Sequence, residues 1–120
     1  MSVVEAIRRM KEEAKTKGIE TEVLEDIGDG RVERITLSSK GEESTGFLFV
    51  DPKVTIYQHG HSDRISEVYE LILGEVEVNS LVMTKEKENS HCCLPGETHY
   101  LKNLSDQPSI VRFTKKYSGK

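Results

Sequence analysis

The sequence predicts an all-β sandwich or barrel preceded by one short helix. Two observations carry that prediction. Helical periodicity is confined to the first 17 or so residues. Beyond Gly18 the chain breaks into many short alternating runs, spaced roughly eight to twelve residues apart and separated by turn residues.

The helix comes first. Ser2 followed by Glu5 has the pattern of a capping box, in which each side chain satisfies the other's free backbone N–H. Val3, Ile7, Met10 and Ala14 recur at helical spacing, and Lys11, Lys15 and Lys17 suit the negative C-terminal end. Gly18 is a natural stop. One apolar stripe on a charged helix must pack on a larger body, which is either the rest of this chain or a second subunit.

The strands follow. Ile19–Ile27 is a weak candidate, and Gly28-Asp29-Gly30 is a strong turn because glycine tolerates positive φ and Asp bonds the local backbone. Arg31–Ser38 alternates, Ser39–Ser44 reads as a polar loop, and Thr45–Val50 as a strand. Asp51-Pro52 turns the chain into Lys53–His59. Glu67–Leu73, Glu75–Met83, His91–Leu94, His99–Lys102 and Ser109–Thr114 complete the series, with Lys85–Ser90 as a charged hairpin loop and Tyr117–Lys120 as a loose tail. At 120 residues the expectation is one domain, residues 1–120, with the helix at about 2–17 and the barrel at about 19–116.

Composition excludes several classes of partner. Lys+Arg 17 against Asp+Glu 21 gives net −4 with the two signs mixed, so no basic patch points to nucleic acid. No apolar run approaches the ~20 residues of a membrane span, and Met1–Ala14 lacks the apolar centre of a signal peptide. Cys92 and Cys93 are adjacent, and neighbouring cysteines rarely bridge, so a disulfide scaffold is excluded. The expectation is a reduced, cytoplasmic protein.

The chemistry concentrates between Tyr57 and Val78. His59 and His61 alternate on one strand face, which Tyr57 shares, at about 7 Å spacing. Ser62–Ser66 reads as the connection of a hairpin whose return strand brings Glu67 alongside, with Tyr69 and Leu71 on the same face. His99, after the Pro95-Gly96 turn, closes the set from another strand. Three neutral imidazoles and a carboxylate suit one divalent transition-metal ion; Mn, Fe, Ni and Zn fit, as do Co and Cu. A six-coordinate ion would keep positions open for water or substrate. Tyr57 and Tyr69 are candidate proton carriers, as is Glu67 if it lies off the metal. Arg64 and Glu97 flank the set as candidate substrate-binding groups. Cys93 shares parity with His91, which leaves a redox or extra-ligand role open beside simple packing. Asn103 reads as the residue that fixes a turn.

These residues resemble the cupins. His59-x-His61, Glu67 and Gly74 match the family's first motif, with Lys53 where a leading glycine is usual and five residues between His61 and Glu67. Gly96-x-x-His99-x-x-x-Asn103 matches the second half of the second motif. The resemblance implies a double-stranded β-helix, a jelly-roll barrel, with metal ligands His59, His61, Glu67 and His99 inside its mouth. It also implies a homodimer, built through the Ser2–Thr16 helix or the Glu20–Leu37 strands.

Fold does not choose chemistry. The leading expectation is an enzyme on a small polar substrate, either a sugar or sugar-phosphate isomerase or epimerase, or an iron dioxygenase. The alternative is a non-catalytic module that binds metal or a small ligand and signals that state to a partner. A storage barrel with a vestigial site is the weakest reading, because all four ligand positions are present.

Overall fold

A computed structural model describes residues 2–60, 64–86 and 89–117. Helix α1 spans Val3–Thr16 and is capped as the sequence anticipates. Ser2 Oγ accepts from the Glu5 N–H at 3.1 Å. The reciprocal half of the capping box gives way to an ion pair, as Glu5 binds Arg9 one turn on. At the far end Gly18 takes φ +78°, and the Ile19 N–H bonds the Ala14 carbonyl at 2.9 Å while Gly18 bonds that of Lys15. That is a Schellman stop, available cheaply only to a residue without Cβ.

Among the described residues ten strands follow: β1 Glu22–Leu24, β2 Val32–Lys40, β3 Glu43–Val50, β4 Thr55–Gly60, β5 Ile65–Leu73, β6 Val76–Val78, β7 Leu81–Met83, β8 Ser90–Cys93, β9 Thr98–Asn103 and β10 Ser109–Tyr117. They form two antiparallel sheets, ordered β1-β2-β3-β10-β5-β8 and β4-β9-β6-β7. Between the sheets lies the core, where Val32, Val50, Leu71, Val76, Val78, Met83, Leu101 and Val111 are buried. The outer face of the six-stranded sheet is covered by α1. Ile7 and Ala14 pack there on Ile35, Phe49 and Ile110, with Met10 and Phe47 at the margin. The helix's apolar stripe is thus buried on its own chain. Each such Ile or Phe contributes roughly 1.5–3 kcal/mol by leaving water.

Several boundaries differ from expectation, for local reasons. The segment Glu75–Met83 is two strands, because Asn79 and Ser80 both take positive φ (48° and 72°) and turn the chain back on itself. The polar stretch Ser39–Ser44 is largely strand, reversed tightly at Gly41 (φ +55°). The Lys85–Ser90 segment is not a hairpin, since β7 pairs with β6 and β8 with β5, in different sheets. Its Lys87 and Glu88 lie outside the described residues, as do Ser118–Lys120. Tyr117, by contrast, ends β10 and bonds the Glu42 carbonyl at 2.8 Å.

One end of the barrel is held by Asn103, which is fully buried. Its amide donates to the carbonyls of Val50, Asp51 and Gln107 at 2.9–3.0 Å. Its carbonyl accepts from Ser105 N and Ser109 Oγ. Gly74, at φ +108°, sits against Ser109; a Cβ there would stand 2.1 Å from Ser109 Oγ. Lys53, in the place of the usual motif glycine, takes the glycine-like φ of +63° and anchors its ammonium on the Leu104 carbonyl.

Candidate metal centre

The opposite end of the barrel is built differently. β4 does not form a hairpin with β5. It pairs with β9, and the register sets His59 directly opposite His99. Glu67 comes from β5 in the other sheet, so the two histidines and the carboxylate meet across the barrel instead of along one ladder. A ligand atom from each of His59, Glu67 and His99 lies within 4.8 Å of the others. His61, Ser62 and Asp63 lie outside the described residues, so three of the four expected ligands have positions.

His99 and Glu67 are almost sealed, at 0% and 3% exposed. His99 Nε2 stands 3.1 Å from Glu67 Oε1. Two donors on neighbouring corners of an octahedral ion with bonds of about 2.1 Å would be about 3.0 Å apart. The His59 ring meets that of His99 edge-on, centroids 4.3 Å apart. His59 Nδ1 lies 2.8 Å from the Tyr57 carbonyl. A carbonyl can only accept, so Nδ1 carries the proton and Nε2 keeps the lone pair that a metal needs. The donor set fits a divalent transition ion.

Tyr69, on β5 two residues beyond Glu67, donates its hydroxyl to Glu67 Oε1 at 2.8 Å. Its ring stands edge-on to His99. Burial first, then the adjacent Glu67 charge, pushes the Tyr69 phenol well above its ordinary pKa. Tyr69 is therefore a fixed proton donor in the neutral pH range and not a base.

Tyr57 lines the cavity, but from its exposed rim and not from the inward face. The β4–β9 register slips by one residue between Ile56 and His59, a bulge that keeps both of those side chains inward and leaves Tyr57 52% exposed at the rim. A cavity of about 420 Å³ opens here, walled by Leu24, Ile27, Leu48, Ile56 and Phe113, with His59, Glu67 and Tyr69 on its wall. The loop between β1 and β2 closes one side by bridging to β4 at Gly28 and Ile56.

Arg64 is exposed just before β5 and does not line the cavity. Glu97 is exposed on the β8–β9 turn and does not line it either. Among the described residues, the cations on the cavity wall are Arg34 and Lys115, neither of them anticipated. Lys115 sits opposite Glu67 in the β10–β5 register, its ammonium 6.0 Å from the Phe113 ring centroid. Arg34 is held by a forked contact to Glu22 at 3.2–3.3 Å. The available signal was parity: Arg34 shares its parity with inward Val32, and Lys115 with inward Val111 and Phe113.

A second group stands one strand away. On β8, His91 and Cys93 face the barrel interior opposite Tyr69 and Glu67 respectively. With Glu97 they again bring three ligand atoms within 4.8 Å. Both cysteines are free thiols, Cys93 buried and Cys92 exposed. Burial, then the charges of Glu67 and Glu97, push the Cys93 thiol up to about 12. His91 Nε2 is buried with no hydrogen-bond partner among the described residues. An unsatisfied buried group of that kind costs about 1–3 kcal/mol.

The architecture is a double-stranded β-helix, and solved structures share it. A predicted oxalate decarboxylase from Thermotoga maritima superposes with TM-score 0.71 at 20% identity, covering 84% of this chain and 95% of that one. An RmlC-like cupin from Shewanella frigidimarina gives 0.63 at 25% identity, covering 83% and 86%. A chain of the Rhodobacter sphaeroides complex of SigE with the anti-sigma ChrR gives 0.59 at 15% identity, covering 71% and 43%. No protein-family model matches the sequence, and no curated protein matches it. The chain thus has the fold of the small cupins. Among the described residues, no helix is long and apolar enough to cross a membrane.

Proposed function

We propose that this cupin is a metal-dependent enzyme acting on a small anionic substrate, with proton transfer next to a carbonyl as its chemistry. The observation that carries the reading is the convergence of His59, Glu67 and His99, the first two of them on the wall of a cavity that also presents Arg34 and Lys115. His61 would complete the ligand set. The bound ion would supply Lewis-acid polarisation of the substrate carbonyl.

The chain's own residues have distinct tasks in this reading. Lys115 and Arg34 bind and orient a carboxylate or phosphate, and the apolar wall of Leu48, Ile56 and Phe113 excludes water around it. Tyr69 holds its proton and, through Glu67 Oε1, fixes which carboxylate oxygen is committed. The Glu67 carboxylate, which lines the cavity, is the base. A substrate of carboxylate-bearing 2-oxo acid or aldose phosphate size suits about 420 Å³.

A second reading, a non-catalytic sensor of metal or ligand, draws on the likeness to a chain of the SigE complex with an anti-sigma protein. Iron-dependent dioxygenase chemistry uses the same ligands without needing a base.

The test is solvent-deuterium exchange followed by proton NMR, with protein loaded separately with Mn, Fe, Ni or Zn and offered 2-oxo acids and aldose phosphates. Metal-dependent exchange at the carbon beside the carbonyl supports the proposal, and Lys115→Ala then raises KM roughly tenfold, the weight of one charge-assisted contact. Oxygen uptake without exchange would move the assignment to dioxygenase. Stoichiometric metal with neither activity would leave the sensor reading standing.

A further inference from the structure

We propose that His91, Cys93 and Glu97 form a second metal site, separate from the first, that takes a thiophilic divalent ion of the zinc type. Three observations support it, and none depends on the first centre or on the enzyme reading. The ligand atoms converge, each within 4.8 Å of the other two. They come from a short, well-fixed piece of chain. His91 and Cys93 are two apart on β8, so both side chains leave the same face of the strand. Glu97 is returned to them by a tight turn, in which Pro95 presets φ, Gly96 takes φ +80° and the Glu97 N–H closes on the Leu94 carbonyl at 3.1 Å.

The third observation concerns unmet demand. His91 Nε2 is buried, with no hydrogen-bond partner among the described residues. A buried imidazole nitrogen beside a buried thiol is an arrangement that a metal completes and packing alone does not. The ligand types narrow the ion. Thiolate, imidazole and carboxylate together favour Zn²⁺ over Mg²⁺, Ca²⁺ or Mn²⁺, and three protein ligands leave a fourth tetrahedral position for water. Tetrahedral ligand atoms stand about 3.3–3.7 Å apart for bonds of about 2.0–2.3 Å. Glu97, exposed on its turn, can supply most of the closure. On binding, the ion takes the Cys93 sulfur and the thiol proton leaves to solvent.

The geometry separates this site from the cavity. None of the three residues lines it. Cys93 nevertheless faces Glu67 directly across the β5–β8 ladder. The alternative to test is therefore that the Cys93 sulfur joins the first centre instead of building its own.

Cobalt distinguishes these cases, because a Co²⁺–thiolate bond gives a near-ultraviolet charge-transfer band that histidine and carboxylate ligands do not. The chain has two cysteines, and the first ligand set has none. Full-length metal-free protein is titrated with Co²⁺ and then with competing Zn²⁺. The expected result is a thiolate band in the wild type that Zn²⁺ bleaches. It persists in Cys92→Ser and in His99→Ala, and disappears in Cys93→Ser. His91→Ala lowers Co²⁺ affinity by more than the roughly 10–100-fold that loss of a supporting partner costs. Should Cys93→Ser fail to fold by circular dichroism, His91→Ala decides, since its substitution leaves the thiol in place. Absence of the band in the wild type overturns the proposal. So does a band that survives Cys93→Ser, or one that vanishes in His99→Ala, which would make Cys93 a ligand of the first centre.

Discussion

The two ends of this barrel each bury a polar cluster, and they use it in opposite ways. At the Asn103 end, one amide satisfies three carbonyls while its own oxygen takes an amide and a hydroxyl, and nothing is left over for a ligand. At the His99 end, Glu67, His99 and Tyr69 are as deeply buried, yet Glu67 and Tyr69 line a cavity. Buried polar groups are costly unless paired. A network closed on backbone groups turns that cost into a fixed turn. A cluster of imidazoles and carboxylate beside open volume has the donor types to hold an ion there.

Substitutions at the two ends should therefore separate stability from metal binding. The largest effect on stability is expected from Asn103→Ala, which strands the Val50, Asp51 and Gln107 carbonyls. Urea denaturation should show a loss of about 3 kcal/mol or more, with metal content per folded molecule unchanged. Tyr69→Phe at the other end removes one hydrogen bond to a charged group and should cost about 1.5–3 kcal/mol in the metal-free protein.

A further effect is on the pH profile. Tyr69 and Cys93 both have folded pKa values raised above their unfolded ones, so their uncharged forms are favoured in the fold. Their stabilisation is fully present below the unfolded pKa values, near 9 for Cys93 and 10 for Tyr69, and is lost as pH rises through the folded ones. Metal-free protein should lose stability progressively above about pH 9, and Cys93→Ser should flatten the part of that fall below pH 12. An unchanged alkaline profile in Cys93→Ser would mean that the thiol is not held neutral by its surroundings.

What could be read from the sequence was what is local. The Ser2 cap, the Gly18 stop and the α1 stripe each depend on residues a few positions apart, and the structure has all three. The cupin resemblance at His59, Glu67, Gly74, His99 and Asn103 anticipated the fold because those residues sit where the strands turn or meet. Pairing partners were harder. A short polar segment after His61 suggested a β4–β5 hairpin, but β4 pairs with β9, more than 40 positions away in sequence at Thr55 and Lys102. The bulge after Ile56 is invisible in YQH, so Tyr57 read as inward. Asn79-Ser80 lacks the glycine that would have announced its turn. Arg34 and Lys115 were legible as charges on inward parity, and were missed because charge ordinarily marks a solvent face.

The most direct test of the central claim is metal content by elemental analysis on untagged protein, with His59→Ala, His99→Ala and Asn103→Ala measured alongside. Metal is expected at the first centre in the wild type and in whatever fraction of Asn103→Ala is folded. In His99→Ala, that ion should be lost while the fold remains. A His99→Ala variant that stays folded and keeps its full metal content would contradict the assignment of His59, Glu67 and His99 as the ion's ligands.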